Sequence, residues 1–169
     1  IGHHGGISIT KDYGETTKNI TLYDFNVSQY YDVKTHPKDV NLIFAGAQDQ
    51  GMQRGRAAGE GTAEFLQMVS GDYGHITFTG DSEHMWIMYP GGNISYYKTP
   101  RTSGGGDFGY EIQYGRESVW IPPVMASPNP EEDVVYVAGG SANENQTGSY
   151  IIKMQALEDR IIAENLPFN

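Results

Sequence analysis

The sequence predicts an all-β chain: a partial β-propeller of about three to four four-stranded blades. Three observations carry this. The first is a repeat. His36-Pro37-Lys38-Asp39-Val40-Asn41-Leu42-Ile43-Phe44-Ala45-Gly46 aligns without gaps to Asn129-Pro130-Glu131-Glu132-Asp133-Val134-Val135-Tyr136-Val137-Ala138-Gly139, 93 residues further on. Each is a polar turn with Pro, then a short apolar run ending in Gly. The second is a landmark: Gly6, Gly51, Gly92 and Gly148 each open another β-rich stretch, at spacings of 45, 41 and 56 residues. Periods of about 40–50 residues with several short strands are what propeller blades produce. The third is that helical periodicity is nearly absent.

Taken in order, Ile7-Ser8-Ile9 alternates as a half-buried strand and leads into a Thr-, Asp- and Gly-rich turn at residues 10–16. Residues 29–33 and the apolar run 40–45 are the next strands, followed by one opened by Gly51. Gly80-Asp81-Ser82-Glu83-His84-Met85-Trp86-Ile87-Met88-Tyr89 is a degenerate copy of the repeat between its two clear ones. Asn93-Ile94-Ser95-Tyr96-Tyr97 follows it. Residues 150–166 are the ambiguous stretch, because Met154, Leu157, Ile161 and Ile162 also fit one helical face. The repeat register requires two strands there. Blade boundaries fall near residues 28, 72 and 117. A β-sandwich has similar spacing, but the gapless match at double the period favours the propeller.

Composition narrows the function. With 21 acidic and 11 basic side chains the net charge is −10, which repels phosphate backbones and anionic membranes. No nucleic acid and no membrane insertion are expected, since no apolar run approaches the roughly 18 residues of a spanning helix. The absence of Cys removes disulfides, thiolate metal sites and a Cys nucleophile. His3 and His4 are adjacent, so on a strand they point to opposite faces and do not share a metal. No metal or cofactor is expected. Acidic loops would suit Ca²⁺ through carboxylates and carbonyls; no spaced Asp-x-Asp loop supports it, and Ca²⁺ stays open as the alternative. Residues 55–64 and 99–107 read as Gly-rich loops, not phosphate cradles, and 128–133 as a solvated turn. Asn19, Asn26, Asn93 and Asn145 head Asn-x-Ser/Thr sequons of the kind that arise by chance in such a chain.

Ser8-Ile9-Thr10-Lys11-Asp12-Tyr13-Gly14-Glu15-Thr16 resembles an Asp-box, with Asp12 and Gly14 at its defining positions and Thr17 where the closing Trp would stand. The segments at 5–9, 29–33, 45–51 and 70–74 keep the order of bacterial Asp-box repeat proteins, which are glycosyl-hydrolase-like and related in fold to sortilin ectodomains and xyloglucan-cleaving hydrolases. The resemblance covers about residues 2–100. It implies a structural role for Asp12 and Gly14, a secreted or periplasmic setting, and seven or more blades. This chain holds about three and a half. Its opening Ile1-Gly2-His3-His4-Gly5-Gly6 reads as the interior of something longer, with remaining blades or another chain as partner.

Blade geometry gives a site. The loop between the second and third strands of a blade opens on the same face as the crossover to the next blade. The loops are residues 2–5, 48–50, 89–91 and 141–147, and the crossovers 28–30, 70–74 and 115–118. Asp49 and Asp72 then share one mouth and supply the two carboxylates of glycoside hydrolysis. Tyr30, Tyr31, Tyr73 and Trp120 are candidates to stack on sugar rings, with Gln48, Gln50, Arg54 and Arg116 as polar contacts. An Asp before Gly is also ordinary turn chemistry. Xyloglucan-cleaving relatives carry one catalytic Asp in an Asp-x-Gly-Gly-x-Tyr-Arg stretch, and Asp49-Gln50-Gly51-Met52-Gln53-Arg54 is similar at Asp, Gly and Arg only. Sialidase chemistry needs three arginines around the substrate carboxylate, and Arg54, Arg56, Arg101, Arg116 and Arg160 match no such setting. The leading expectation is a glycoside hydrolase acting on neutral polysaccharide. The alternatives are a noncatalytic module binding a glycan or peptide ligand, and a structural segment of a larger assembly.

Overall fold

A computed structural model describes residues 1–3, 6–19, 28–57, 59, 64–112, 119–146 and 148–167. Among these the chain forms fifteen strands and no helix. β1 (Gly2–His3), β2 (Gly6–Ile9) and β3 (Lys18–Asn19) make a three-stranded sheet. Three four-stranded sheets follow. The first holds β4 (Tyr30–His36), β5 (Asp39–Ala47), β6 (Gly51–Arg56) and β7 (Phe65–Val69). The second holds β8 (Ile76–Thr79), β9 (His84–Tyr89), β10 (Asn93–Tyr97) and β11 (Phe108–Glu111). The third holds β12 (Val124–Ala126), β13 (Val134–Ala138), β14 (Ile151–Ala156) and β15 (Ile161–Leu166). In each, consecutive strands pair antiparallel, so each is a meander. Residues 150–166 are thus two strands, with every second residue of β14 buried.

The meanders stack face on face. Leu42, Phe44, Met52 and Met68 of the first pack on Ile76, Met85, Ile87 and Tyr97 of the second. Trp86, Met88, Ile94 and Tyr96 of the second pack on Val135, Val137, Ile152 and Met154 of the third. The middle meander is covered on both sides, so β9 buries Met85, Trp86, Ile87 and Met88 in succession. That is why its sequence reads as a continuous apolar run rather than an alternation. The first strands converge: β8 lies against both β4 and β12. Stacked meanders that share an inner-strand axis form a partial β-propeller of three blades, with the short three-stranded sheet preceding them.

Hydrogen bonds at both ends hold the blades together. At one end the Gly51 amide donates to the Gly71 carbonyl (2.7 Å) and Tyr73 to Ala47 (3.2 Å). Gly74 donates to Met88 (2.8 Å), Gly91 to Trp120 (2.7 Å) and Ala138 to Pro123 (3.2 Å). The first crossover lies so close to β5 that a Cβ on Gly46 would stand 2.3 Å from the Tyr73 oxygen. At the other end, Asp133 of the third blade accepts the Thr79 hydroxyl (2.8 Å) and lies 2.6 Å from His84 Nδ1 of the second. Trp86 donates in turn to Thr79 (2.8 Å). Lys38 of the first blade pairs with Asp81 (2.7 Å) and Glu83 (3.0 Å) of the second. His36 is fully buried beside them, its ring centroid 5.2 Å from that of Phe78. Its Nδ1 accepts the Lys38 amide hydrogen (3.1 Å), and the Arg101 guanidinium stands 3.3 Å from Nε2. Burial and then the Arg101 charge hold the imidazole below its ordinary 6.5, against the weaker pull of Glu83 and Asp39.

Two outcomes follow. Gly46→Ala is expected to lower unfolding stability by about 1–3 kcal/mol, because the neighbouring atom is backbone. Gly104→Ala, with open space around it, should stay within about 0.5 kcal/mol in the same urea titration. For His36, the unfolded chain takes a proton below about pH 6.5 that the folded chain refuses. Stability is therefore full above pH 6.5 and falls as pH drops below it. The wild type should lose more stability between pH 7 and 5 than His36→Gln, by paired denaturant titrations.

Candidate functional site

The mouth residues are positioned by a turn, a bulge and two crossovers. β5 ends in the turn 48–50, where Asp49 takes a left-handed φ of 59°. That conformation presents its amide to the next crossover, and Asp72 Oδ1 accepts it at 2.7 Å. The two sequence-predicted carboxylates thus belong to one unit in which Asp72 caps the Asp49 turn. β4 carries a bulge: Tyr30 pairs with Ala47 and Asp32 with Gly46, leaving Tyr31 as the extra residue. Bulges re-aim side chains. The Tyr31 ring meets Trp120 edge to face, with centroids 5.7 Å apart and planes at 87°. Burial and the nearby charges of Asp72 and Asp49 push the Tyr31 hydroxyl above its ordinary range. Trp120 is 60% exposed on the second crossover, and the Gly91 amide holds its carbonyl. Four sequence-predicted residues from four segments therefore form one patch: two carboxylates, one phenol and one open indole.

The other candidates are distributed around it. Tyr30 is 41% exposed and donates to Gln53 Oε1 (3.0 Å). The Gln50 side chain accepts from Ser28, and its carbonyl accepts from Gln67 (2.8 Å). Gln48 is half-buried, and its amide donates to the Gln29 carbonyl (2.9 Å). Tyr73 does not join the open face. It is 9% exposed, in the core between the first two blades, edge to face with Tyr89 at 5.3 Å. Arg54 is directed away as well, donating to the carbonyls of Pro100 (2.7 Å) and Ser103 (3.0 Å) in the second blade. Arg116 and the crossover 115–118 lie outside the described residues, as do His4, Asn26 and most of 58–63. Gln53 and Gln67 were not singled out from sequence. Their signal is the pairing register, which sets both opposite one another beside the Gln50 turn.

Asp12 stands in the turn between β2 and β3. Its Oδ1 accepts the Thr16 amide (2.9 Å) and the Thr10 hydroxyl (2.8 Å), and its Oδ2 accepts the Thr16 hydroxyl. Tyr13 and Gly14 complete the turn at φ 57° and 102°. The Thr16 hydroxyl, the Thr16 amide and then the Thr10 hydroxyl hold the carboxyl at about 2. The sequence matches no protein-family model and no curated protein.

The Asp12 carboxyl carbon is expected to titrate by NMR with a midpoint at about 2. A folded-state value below the ordinary one means the turn's contribution is present above pH 3.8 and lost as pH falls towards 2. A midpoint near 3.8 would contradict the bonding described for this turn.

Proposed function

We propose that this chain is part of an Asp-box propeller, secreted or periplasmic, whose mouth binds neutral carbohydrate. The observation that carries the reading is the patch of Tyr31, Trp120, Asp49 and Asp72. An open indole braced edge to face by a half-buried phenol is a rigid platform for the apolar face of a sugar ring. Carboxylates beside it accept hydroxyl hydrogens and disfavour anionic sugars. Tyr30, fixed by Gln53, extends the platform. Exposed apolar side chains on the outward faces of the first and third blades, Val33 and Phe65 on one and Met125 and Ile162 on the other, support further blades or another chain as partner.

A second reading, a glycoside hydrolase, is favoured by one feature: two carboxylate residues in one unit at the mouth, with Asp72 Oδ1 accepting the Asp49 backbone amide at 2.7 Å. One would donate a proton to the leaving oxygen, and the other would act as base or nucleophile. The engagement of Asp72 with the Asp49 backbone supports binding as the first reading, because that oxygen already has a structural partner.

Affinity electrophoresis through gels containing xyloglucan or mixed-linkage β-glucan separates the two. The wild type should be retarded, and Trp120→Ala should weaken retention about tenfold, or ~1.4 kcal/mol, as expected for an aromatic anchor. Asp49→Asn and Asp72→Asn should keep most retention. Release of reducing ends by the wild type that both Asn variants abolish would favour the hydrolase. Unretarded wild type on every neutral polysaccharide would remove the carbohydrate reading.

A further inference from the structure

A cavity of about 580 Å³ lies between the outer strands of the second and third blades, walled by β11, β15 and the loop between β13 and β14. Its size falls in the roughly 300–1,000 Å³ range of small-molecule sites. Its lining differs from that of the mouth patch. Among the described lining residues, Tyr110 offers the only aromatic ring. Among the described residues, Asn143, Gln146 and Asn165 offer amides and Glu144 offers a carboxylate, the Glu164 carboxylate is paired with Lys153 (3.4 Å), and no Lys, Arg or His lines it.

One wall is built rather than merely exposed. Asn165 Oδ1 accepts the Ala142 amide hydrogen (2.8 Å), and its NH₂ donates to Ser141 Oγ (2.8 Å) and to Gln146 Oε1. Ser141 itself is fully buried and bonded to Asn143 through both its oxygen and its hydrogen. Both hydrogens of the Asn165 amide are therefore committed, which makes Asn165 a positioning residue. It fixes the Gln146 oxygen and so aims the Gln146 NH₂, which has no protein partner among the described residues. Asn143 Oδ1 accepts the Asn145 amide hydrogen (3.0 Å), which orients the Asn143 NH₂, for which the described residues offer no partner. Tyr110 is steadied by its hydroxyl on the Ala142 carbonyl (3.4 Å).

We infer that this cavity is a second carbohydrate subsite that takes one uncharged sugar ring. A sugar hydroxyl both donates and accepts, and the cavity presents both partners: amide N–H donors on Gln146 and Asn143, and a carboxylate acceptor on Glu144. The ring's C–H face has Tyr110 to pack on. An anionic ligand would meet the Glu144 carboxylate. A cationic ligand would meet N–H donors aimed at it. The inference rests on the carbohydrate reading of the mouth for its ligand class, and on its own residues for its site.

The test is saturation-transfer NMR on the full chain with glucose, galactose and mannose added singly, and glucuronate as the charged counterpart. At least one neutral hexose is expected to receive transfer, and glucuronate none. Gln146→Leu and Glu144→Leu should each reduce the transfer about fivefold or more, the effect of losing one or two hydrogen bonds. The transfer is read in a Trp120→Ala background, where the mouth has lost its aromatic anchor, so that it reports the cavity. Both Leu positions are exposed loop residues, and Glu144→Gln, which keeps one acceptor oxygen, should retain at least about half of the signal. Three outcomes overturn the subsite: no transfer to any hexose, equal transfer to glucuronate, or transfer that survives both Leu substitutions. Transfer present in the wild type but lost in Trp120→Ala would leave the mouth reading standing and this one refuted.

Discussion

Everything in the molecule depends on the backbone bonds between each crossover and the blades on either side. A single meander of short strands cannot bury both of its faces, and isolated strand pairs are marginal in water. The crossover at 70–75 resolves this by pairing with the blade it leaves, through Gly51 and Ala47, and with the blade it enters, through Met88. The side chains of Phe44, Met52, Met85 and Ile87 can then interdigitate at a fixed spacing. Gly46 belongs to the same constraint. Only a residue without Cβ admits the Tyr73 carbonyl at that point.

Much of this was legible in the sequence, and the legible part has one physical origin. The repeated text from 36 to 46 and from 129 to 139 is a tight turn, an apolar strand and a terminal Gly, and each part meets a local requirement of the blade. Gly46 and Gly139 end their runs where a neighbouring segment crosses, Tyr73 in one case and Val119 in the other. What was not legible depends on distant partners. Tyr73 reads as an aromatic in a mouth loop, yet it is buried against Tyr89. Arg54 reads as a ligand contact, yet its partners are carbonyls 46 and 49 residues away. The direction of Tyr31 is set by a bulge, and a bulge resets the alternation from which facing is inferred.

The same seam creates the chemistry at the mouth. The left-handed Asp49 turn would leave its amide without a strand partner, and Asp72 supplies one from the next crossover. Satisfying the backbone thus brings two carboxylates together beside Tyr31 and Trp120. The proposed binding face is a by-product of joining blades, which is why its residues come from four separate segments. The Asp12 turn solves a similar problem locally, with one carboxylate taking the orphan donors of a single loop.

The central claim is that the crossover bonds join the three blades into one cooperative unit. Native-state hydrogen exchange of the amides of Gly51, Tyr73, Gly74, Gly91 and Ala138 tests it directly, with Phe44, Trp86 and Ile152 as references for the blade interiors. The account predicts that the seam amides open with the same free energy as the interior ones, through global unfolding. Fast exchange at the seam while all three interiors stay protected would mean that the blades hold together without it, and would contradict the account.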